Sequence, residues 1–163
     1  MSTLDNLKEA FAGESQANRK YLAFAKKADE EGYNQVAKLF RAAAAAETVH
    51  AHNHLKVMKG ILSTEENLNE AIEGEVDEFT QMYPGFIEEA KAEGDDAATW
   101  TFDVANKVEE IHANLYKKAL ENLGENVETA YYVCNFCGYT VEKEAPDICS
   151  VCGAPKKEFV KID

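Results

Sequence analysis

Residues 42–54 read AAAAAETVHAHNH, and this stretch decides how the N-terminal part of the chain folds. Five consecutive alanines favour a closely packed helix, since alanine combines the best helix propensity with a small side chain. The face that they begin continues with Glu47 and His50, where further apolar residues are expected. A buried carboxylate is unfavourable unless a partner compensates its charge. The stretch therefore predicts a helix that faces a cation.

Four apolar stripes with helical spacing run through residues 1–123, and each is interrupted near its middle by residue types that bind metals. The interrupting residues are Glu14 in the first stripe, Glu47 and His50 in the second, Glu75 and Glu78 in the third, and Glu109 and His112 in the fourth. A bundle of these helices would bring all of them to a similar height. The pattern therefore predicts a metal centre inside a helical bundle.

An internal repeat strengthens this prediction. Glu14 lies 33 positions before Glu47-x-x-His50, and Glu78 lies 31 positions before Glu109-x-x-His112. Residues at i and i+3 share a helix face, so each Glu-x-x-His can place its two ligands at one metal pair. A repeated hairpin of this kind is typical of ferritin-like di-iron carboxylate bundles. On this pairing Glu75 is an additional carboxylate outside the symmetric set.

The cysteines form a second predicted metal site near the C-terminus. Two Cys-x-x-Cys pairs are separated by eleven residues, and a glycine follows the second cysteine of each pair. So short a segment cannot build a sufficient apolar core, so a four-thiolate metal should hold it together. The spacing alone fits a rubredoxin-like iron site and a structural zinc ribbon equally well. The four predicted ligands are Cys134, Cys137, Cys149 and Cys152.

Composition sets the expected domains and excludes some partners. The helical composition ends near residue 124, so we expect a bundle over 1–123, a linker over 124–130 and a cysteine module over 131–163. The net charge of −13 disfavours nucleic acid and anionic membranes as partners. No stretch reaches the ~20 apolar residues of a membrane helix. The N-terminus lacks an export signal, so we expect a cytoplasmic protein.

At this point the chain resembles the rubrerythrin family over essentially its whole length. The motifs that carry the resemblance are FAGESQANRKY, AETVHAHNH, AIEGEVDEFTQMYPGF, VEEIHANLY and CNFCGYTVEKEAPDICSVCGAP. The resemblance implies a mainly α fold, with a ferritin-like four-helix bundle followed by a small rubredoxin-like module that binds metal through four cysteines. It implies that the seven interrupting residues are di-iron ligands and that the four cysteines bind a rubredoxin-like iron.

The resemblance also implies an activity, the reduction of hydrogen peroxide to water in the oxidative-stress defence of an anaerobe or microaerophile. Its cofactors would be an oxo- and carboxylate-bridged pair of non-haem irons and one iron held by the four cysteines, with zinc as the alternative at the cysteines. An external rubredoxin or NAD(P)H-dependent reductase would supply electrons. Glu75 and His50 would be alternative ligands of one iron. Tyr21 and Tyr83 would either hydrogen-bond carboxylates or peroxide, or simply pack in the core.

Two other functions share part of this pattern. A ferroxidase or iron-storage protein of the ferritin-like class needs the carboxylates but no cysteine relay for electrons. A metal-binding protein with a structural zinc ribbon needs neither iron nor electron transfer.

The link between the second and third helices bears on assembly. About five residues span at most ~17 Å, whereas a ferritin-type crossover must run the length of a helix, ~35–40 Å. The bundle is therefore either a simple up-down-up-down arrangement or a homodimer in which two chains exchange helix hairpins. We favour the exchange.

Overall fold

The structure is a computed structural model that describes residues 2–162. Within that range the chain divides into two compact units. The N-terminal unit ends at Leu62, and the C-terminal unit begins at Ser63. The described residues include no helix that is both long enough and apolar enough to cross a membrane.

The N-terminal unit is a helical hairpin of α1 (Thr3–Glu30) and α2 (Asn34–Val57). A capping box between Ser2 and Asp5 begins α1, because the side chain of each residue accepts a hydrogen bond from the backbone N–H of the other. The fully buried residues of both helices are all alanines, which lets the two helices approach closely; they are Ala25, Ala28, Ala37, Ala44 and Ala51. The helix predicted over 42–54 is therefore confirmed.

The C-terminal unit begins with α3 (Thr64–Asp77), a π-helical turn (Glu78–Met82), α4 (Tyr83–Glu93) and α5 (Asp96–Glu121). The third apolar stripe predicts a single helix here, in which Pro84 should cause a local bend. Instead, a full π turn directly precedes the helix that contains this proline, which has no N–H with which to continue a regular helix. A π turn of this kind adds one residue to a helix and often marks a functional site.

A small three-stranded sheet follows in the same unit, formed by β1 (Tyr131–Cys134), β2 (Thr140–Glu142) and β3 (Phe159–Ile162). The strand order is β2-β1-β3, and both pairings are antiparallel. The core of this sheet consists of cysteines and a few apolar side chains around them. β2 packs against α5 and so fixes the module to the helices of its own unit.

The connection between α2 and α3 is short. The apolar stripe of the second helix extends to Ile61 and predicts its end there, whereas α2 ends at Val57 and α3 begins at Thr64. The helix stops early because Lys59 adopts a left-handed conformation with φ of 58°. Residues 58–63 reach at most ~20 Å, which is still too short for a crossover along a helix.

Candidate metal centres

The N-terminal unit brings together Glu14 of α1 with Glu47 and His50 of α2, and one ligand atom from each lies within 4.8 Å of the others. Nδ1 of His50 lies 2.9 Å from Oε2 of Glu47 and 3.9 Å from Oε1 of Glu14. The hydrogen bond between the two carboxyl groups raises the pKa of Glu14 and lowers the pKa of Glu47. The two carboxyl groups therefore lie close enough together to serve as ligands of one metal site.

The C-terminal unit contains a matching triad of Glu75 on α3 with Glu109 and His112 on α5. Nδ1 of His112 lies 2.8 Å from Oε2 of Glu109 and 3.9 Å from Oε1 of Glu75. Burial, followed by the charge of Glu109, raises the pKa of Glu75 to about 7. The hydrogen bond with Glu109 raises the pKa of His112.

The donor sets of both triads fit iron. In each triad two carboxyl groups lie close together beside a histidine nitrogen, and two carboxylates repel one another unless a proton or a cation lies between them. Two carboxylates and an imidazole form a mixed oxygen and nitrogen set that suits a divalent iron. The geometry therefore supports the prediction of a metal centre in each unit separately.

Glu78 lies outside the C-terminal triad, at the first residue of the π turn. The two units repeat each other with an offset of 61 positions before the π turn, as in Glu14 and Glu75, and of 62 positions after it, as in Glu47 and Glu109. The π turn supplies the extra residue. The pairing of Glu14 with Glu78 by spacing was therefore wrong: Glu75 belongs to the symmetric set, and Glu78 is the additional carboxylate.

The two predicted tyrosines occupy equivalent places in the repeat. The ring of Tyr21 packs against Phe24 and Phe40, and the ring of Tyr83 packs in the same way against two phenylalanines, Phe86 and Phe102. Both therefore have the packing role that the sequence left open. The pKa of Tyr83 is also raised, first by burial and then by the charges of Glu109, Glu78 and Glu75.

Two residues near the C-terminal triad were not predicted as part of the site. Burial and then the charges of Glu75 and Glu109 raise the pKa of Tyr116. The sequence carried a signal for it, since Tyr116 follows His112 by one helical turn. Oγ1 of Thr140, in β2, lies 2.9 Å from Nε2 of His112. No local pattern connects that threonine with α5.

The four cysteines form a compact thiol cluster with no disulfide. Sγ of Cys134 lies 3.8 Å from Sγ of Cys152, and Sγ of Cys137 lies 3.6 Å from Sγ of Cys149. A tetrahedron with metal–sulfur bonds of about 2.3 Å has edges of about 3.8 Å. The cluster therefore has the dimensions of a four-thiolate metal site.

The loops around the cysteines form tight turns whose backbone N–H groups stabilise thiolates. Gly138 and Gly153 both adopt left-handed conformations, with φ of 81° and 78°, and their N–H groups close a tight turn onto the carbonyl of the first cysteine in each pair. Burial raises the pKa of the Cys149 thiol, but hydrogen bonds from the N–H groups of Cys152 and Val151 outweigh it and bring the pKa below its ordinary value. The two glycines thus let the chain turn tightly enough for backbone N–H groups to face the thiol sulfurs.

Comparison with known proteins identifies the family of the chain. The family model for rubrerythrin matches residues 5–120. The chain belongs to the rubrerythrin family. A second model, for the rubredoxin-like domain of rubrerythrin, matches residues 132–160. The predicted fold class is therefore confirmed, as a mainly α ferritin-like fold followed by a rubredoxin-like four-cysteine module. The cofactors are those of the family, a di-iron centre and a rubredoxin-like metal at the cysteines.

Relatives in the rubrerythrin family match the chain along nearly all of its length. Rubrerythrin-2 of Clostridium acetobutylicum is 34% identical over 174 residues, which cover 96% of this chain and 95% of the relative. Nigerythrin of Nitratidesulfovibrio vulgaris is 37% identical over 172 residues, covering 97% of this chain and 85% of the relative. A solved structure of nigerythrin in its fully reduced, all-ferrous state is similar with a TM-score of 0.61 and 36% identity, covering 99% of this chain and 87% of that one.

Proposed function

We propose that this protein is a non-haem di-iron peroxidase that reduces hydrogen peroxide to water, with electrons relayed through its rubredoxin-like iron. The observation that carries the proposal is the hydrogen bond between His112 and Thr140, which links a predicted di-iron ligand to the cysteine module. A ferroxidase or an iron store has no need for such a link. The reaction consumes two electrons and two protons for each peroxide and yields two water molecules.

When bound, the iron pair supplies the electrons and the Lewis acidity that break the O–O bond. The chain's own residues hold the ligand geometry and supply protons. Glu78 is partly buried beside the triad, and burial, followed by the charge of Glu109, raises its pKa. A carboxyl group with a raised pKa holds its proton to higher pH and can donate it to the leaving oxygen. Burial and then the charges of Glu109, Glu78 and Glu75 raise the pKa of the Tyr83 phenol, which would be a second proton donor.

The exchange of ligands implied by the resemblance is also reassigned. Because Glu75 belongs to the triad, we propose that Glu78 and His50 are the alternative ligands of one iron, instead of Glu75 and His50. Carboxylate suits ferric iron and neutral imidazole suits ferrous iron. Glu78 starts a π turn, whose wider hydrogen bonding gives its side chain more room to move than a regular helix does.

We further propose that a rubredoxin or an NAD(P)H-dependent reductase supplies the electrons, in the cytoplasm of an anaerobe or microaerophile under oxidative stress. The four cysteines are all free thiols, as a reducing compartment requires. The net charge of −13 argues against nucleic acid and anionic membranes as partners. In this proposal the functional division is a di-iron domain over 1–123, a linker over 124–130 and a rubredoxin-like domain over 131–163.

For the assembly we propose a homodimer that exchanges hairpins. Each unit contains only one triad of two glutamates and one histidine among its described residues, and a complete di-iron centre takes two such halves. The connection of residues 58–63 is too short for a crossover along a helix. Pairing the N-terminal triad of one chain with the C-terminal triad of its partner satisfies both constraints.

Rapid mixing tests the peroxidase proposal. Protein purified without oxygen and fully reduced is mixed with peroxide or with dioxygen, and the absorption of both iron centres is followed. We expect peroxide to oxidise the di-iron centre first and the thiolate iron second, much faster than dioxygen does. Faster oxidation by dioxygen would favour the ferroxidase alternative. Zinc at the cysteines of protein isolated without oxygen would contradict the electron relay and favour the zinc ribbon.

A further inference from the structure

The cysteine module and the C-terminal triad meet at one hydroxyl group. Oγ1 of Thr140 lies 2.9 Å from Nε2 of His112 and 3.1 Å from the carbonyl oxygen of Gly138. Gly138 follows Cys137 directly in the chain. Its Cα also faces α5, since an added Cβ would lie 3.8 Å from Cγ1 of Val108. The contact therefore joins the loop of a thiolate ligand to the ring of a triad histidine.

The hydrogen-bond directions are fixed by what each group can donate. The carbonyl of Gly138 is only an acceptor, so the single hydroxyl proton of Thr140 is donated to it. Oγ1 of Thr140 must then accept from His112, which means that Nε2 of this histidine carries a proton. Without a metal, Nδ1 of His112 donates to the Glu109 carboxylate; when a metal takes that place, Nδ1 offers its lone pair and Nε2 keeps the proton that Thr140 accepts. Thr140 thus accepts from the ring nitrogen that must keep its proton when the other nitrogen binds a metal within the triad.

We propose that Thr140 is a positioning residue that holds the His112 ring at Nε2 and links it, through two hydrogen bonds, to the loop that follows Cys137 in the same chain. This inference rests on the proposed function. When both sites hold iron, this link would serve the electron relay: a thiolate-bound Fe(II) would give one electron to a triad-bound Fe(III), and no atom would move. The external donor then reduces the thiolate iron again.

The equivalent histidine of the N-terminal unit has no such restraint. Within residues 2–162, the hydrogen bonds and ion pairs of His50 involve Nδ1 alone. Its side chain is 53% exposed, against 27% for His112. The repeat thus gives each unit a triad histidine but anchors only one of them. The anchored histidine is the one next to the cysteine module.

The first test reads the tautomer and needs no turnover. In zinc-loaded protein with ¹⁵N-labelled histidine, NMR reports which ring nitrogen of His112 is protonated and how fast that proton exchanges with water. We expect a protected Nε2 proton in the wild type and in Thr140→Ser, which keeps the hydroxyl group. In Thr140→Val the exchange should be clearly faster. Unchanged exchange in Thr140→Val would overturn the positioning role.

The second test reads electron transfer in iron-loaded protein. After reduced protein is mixed with peroxide, the thiolate iron should oxidise roughly tenfold more slowly in Thr140→Val than in the wild type, the usual effect of removing a group that supports a metal ligand. Thr140→Ser should restore the rate, and Thr99→Val, the same change at the start of α5, should leave it unaltered. An unchanged rate in Thr140→Val would overturn the electron route. If peroxide oxidises neither centre of the wild type, the peroxidase proposal fails alone, and the NMR test still decides the role of Thr140.

Discussion

Oε1 of Glu75 lies 3.9 Å from Nδ1 of His112, and the same distance of 3.9 Å separates Oε1 of Glu14 from Nδ1 of His50. The two triads therefore agree in geometry although they are built from different helices. The agreement identifies Glu75 as a member of the repeated ligand set. It leaves Glu78 as the carboxylate with no counterpart in the other unit. Substitutions of Glu75 and of Glu78 should therefore have different effects on the protein.

Replacing Glu75 should weaken metal binding, whereas replacing Glu78 should slow turnover. Glu75→Ala removes a triad ligand, so we expect affinity for iron at the di-iron centre to fall by at least about tenfold. Glu78→Ala should leave the iron content nearly unchanged and lower peroxide turnover by about tenfold or more. Iron analysis after dialysis and single-turnover kinetics with peroxide measure the two effects.

Glu73→Ala is the matched control, because Glu73 is an exposed glutamate on the same helix. It should change neither iron content nor turnover. Full iron binding in Glu75→Ala, combined with iron loss in Glu78→Ala, would restore the pairing by spacing and remove Glu78 as the exchanging ligand.

The raised pKa of Glu75 predicts how stability depends on pH when the carboxylate sites hold no metal. Its pKa is about 7 in the folded chain against an ordinary value of 4.5. Between these values the folded state binds a proton that the unfolded state has lost. The free energy of unfolding should therefore fall as pH rises from 4.5 to 7, and this contribution is complete only below pH 4.5.

Urea denaturation at several pH values, with zinc kept at the cysteines and the carboxylate sites emptied, measures this slope. In Glu75→Gln, which cannot titrate, the slope over the same range should be smaller than in the wild type. Equal slopes in the two proteins would show that Glu75 does not carry the raised pKa. Metal binding at the intact site should also release protons near neutral pH.

Most of the site was accessible from the sequence because its signals are local. Glu47 and His50 are three positions apart on one helix, and so are Glu109 and His112, so the side chains share a face wherever that helix packs. The cysteine spacing likewise determines a four-thiolate cluster within a short segment. Such patterns hold without any knowledge of the tertiary structure.

The errors and omissions arose where structure depends on non-local or irregular features. The roles of Glu75 and Glu78 were exchanged because the π turn adds one residue, and apolar periodicity does not reveal such a turn. Thr140 was missed because its contact with His112 joins a strand and a helix 28 positions apart. Only tertiary packing brings those two side chains together.

Removing the metal from the cysteines should unfold the module while the N-terminal hairpin stays folded. Cys134 and Cys149 are 1% and 2% exposed and form most of the module's small core, so little apolar burial remains to hold the strands. Amide hydrogen exchange after chelation should show loss of protection in β1 and retention in α2. Protection of β1 that survives complete metal removal would show that the strands are stable without it.

Mixing two defective chains tests the exchange of hairpins between subunits. Glu47→Ala disables the N-terminal triad, and Glu109→Ala disables the equivalent position of the C-terminal triad. In an exchanged heterodimer, one centre combines both defective halves and the other combines both intact halves. If each chain instead builds its own centre, every centre in the mixture contains one defective half.

The two variants are therefore unfolded together, refolded with iron and compared with each variant refolded alone. With exchange and random pairing, about a quarter of the centres in the mixture should be intact, and peroxide turnover should recover in that proportion. Turnover that stays at the level of the separate variants would contradict the exchange, as would sedimentation of the iron-loaded wild type as a monomer. Refolded wild type provides the reference for recovery, so a failure to refold is not mistaken for a failure to exchange.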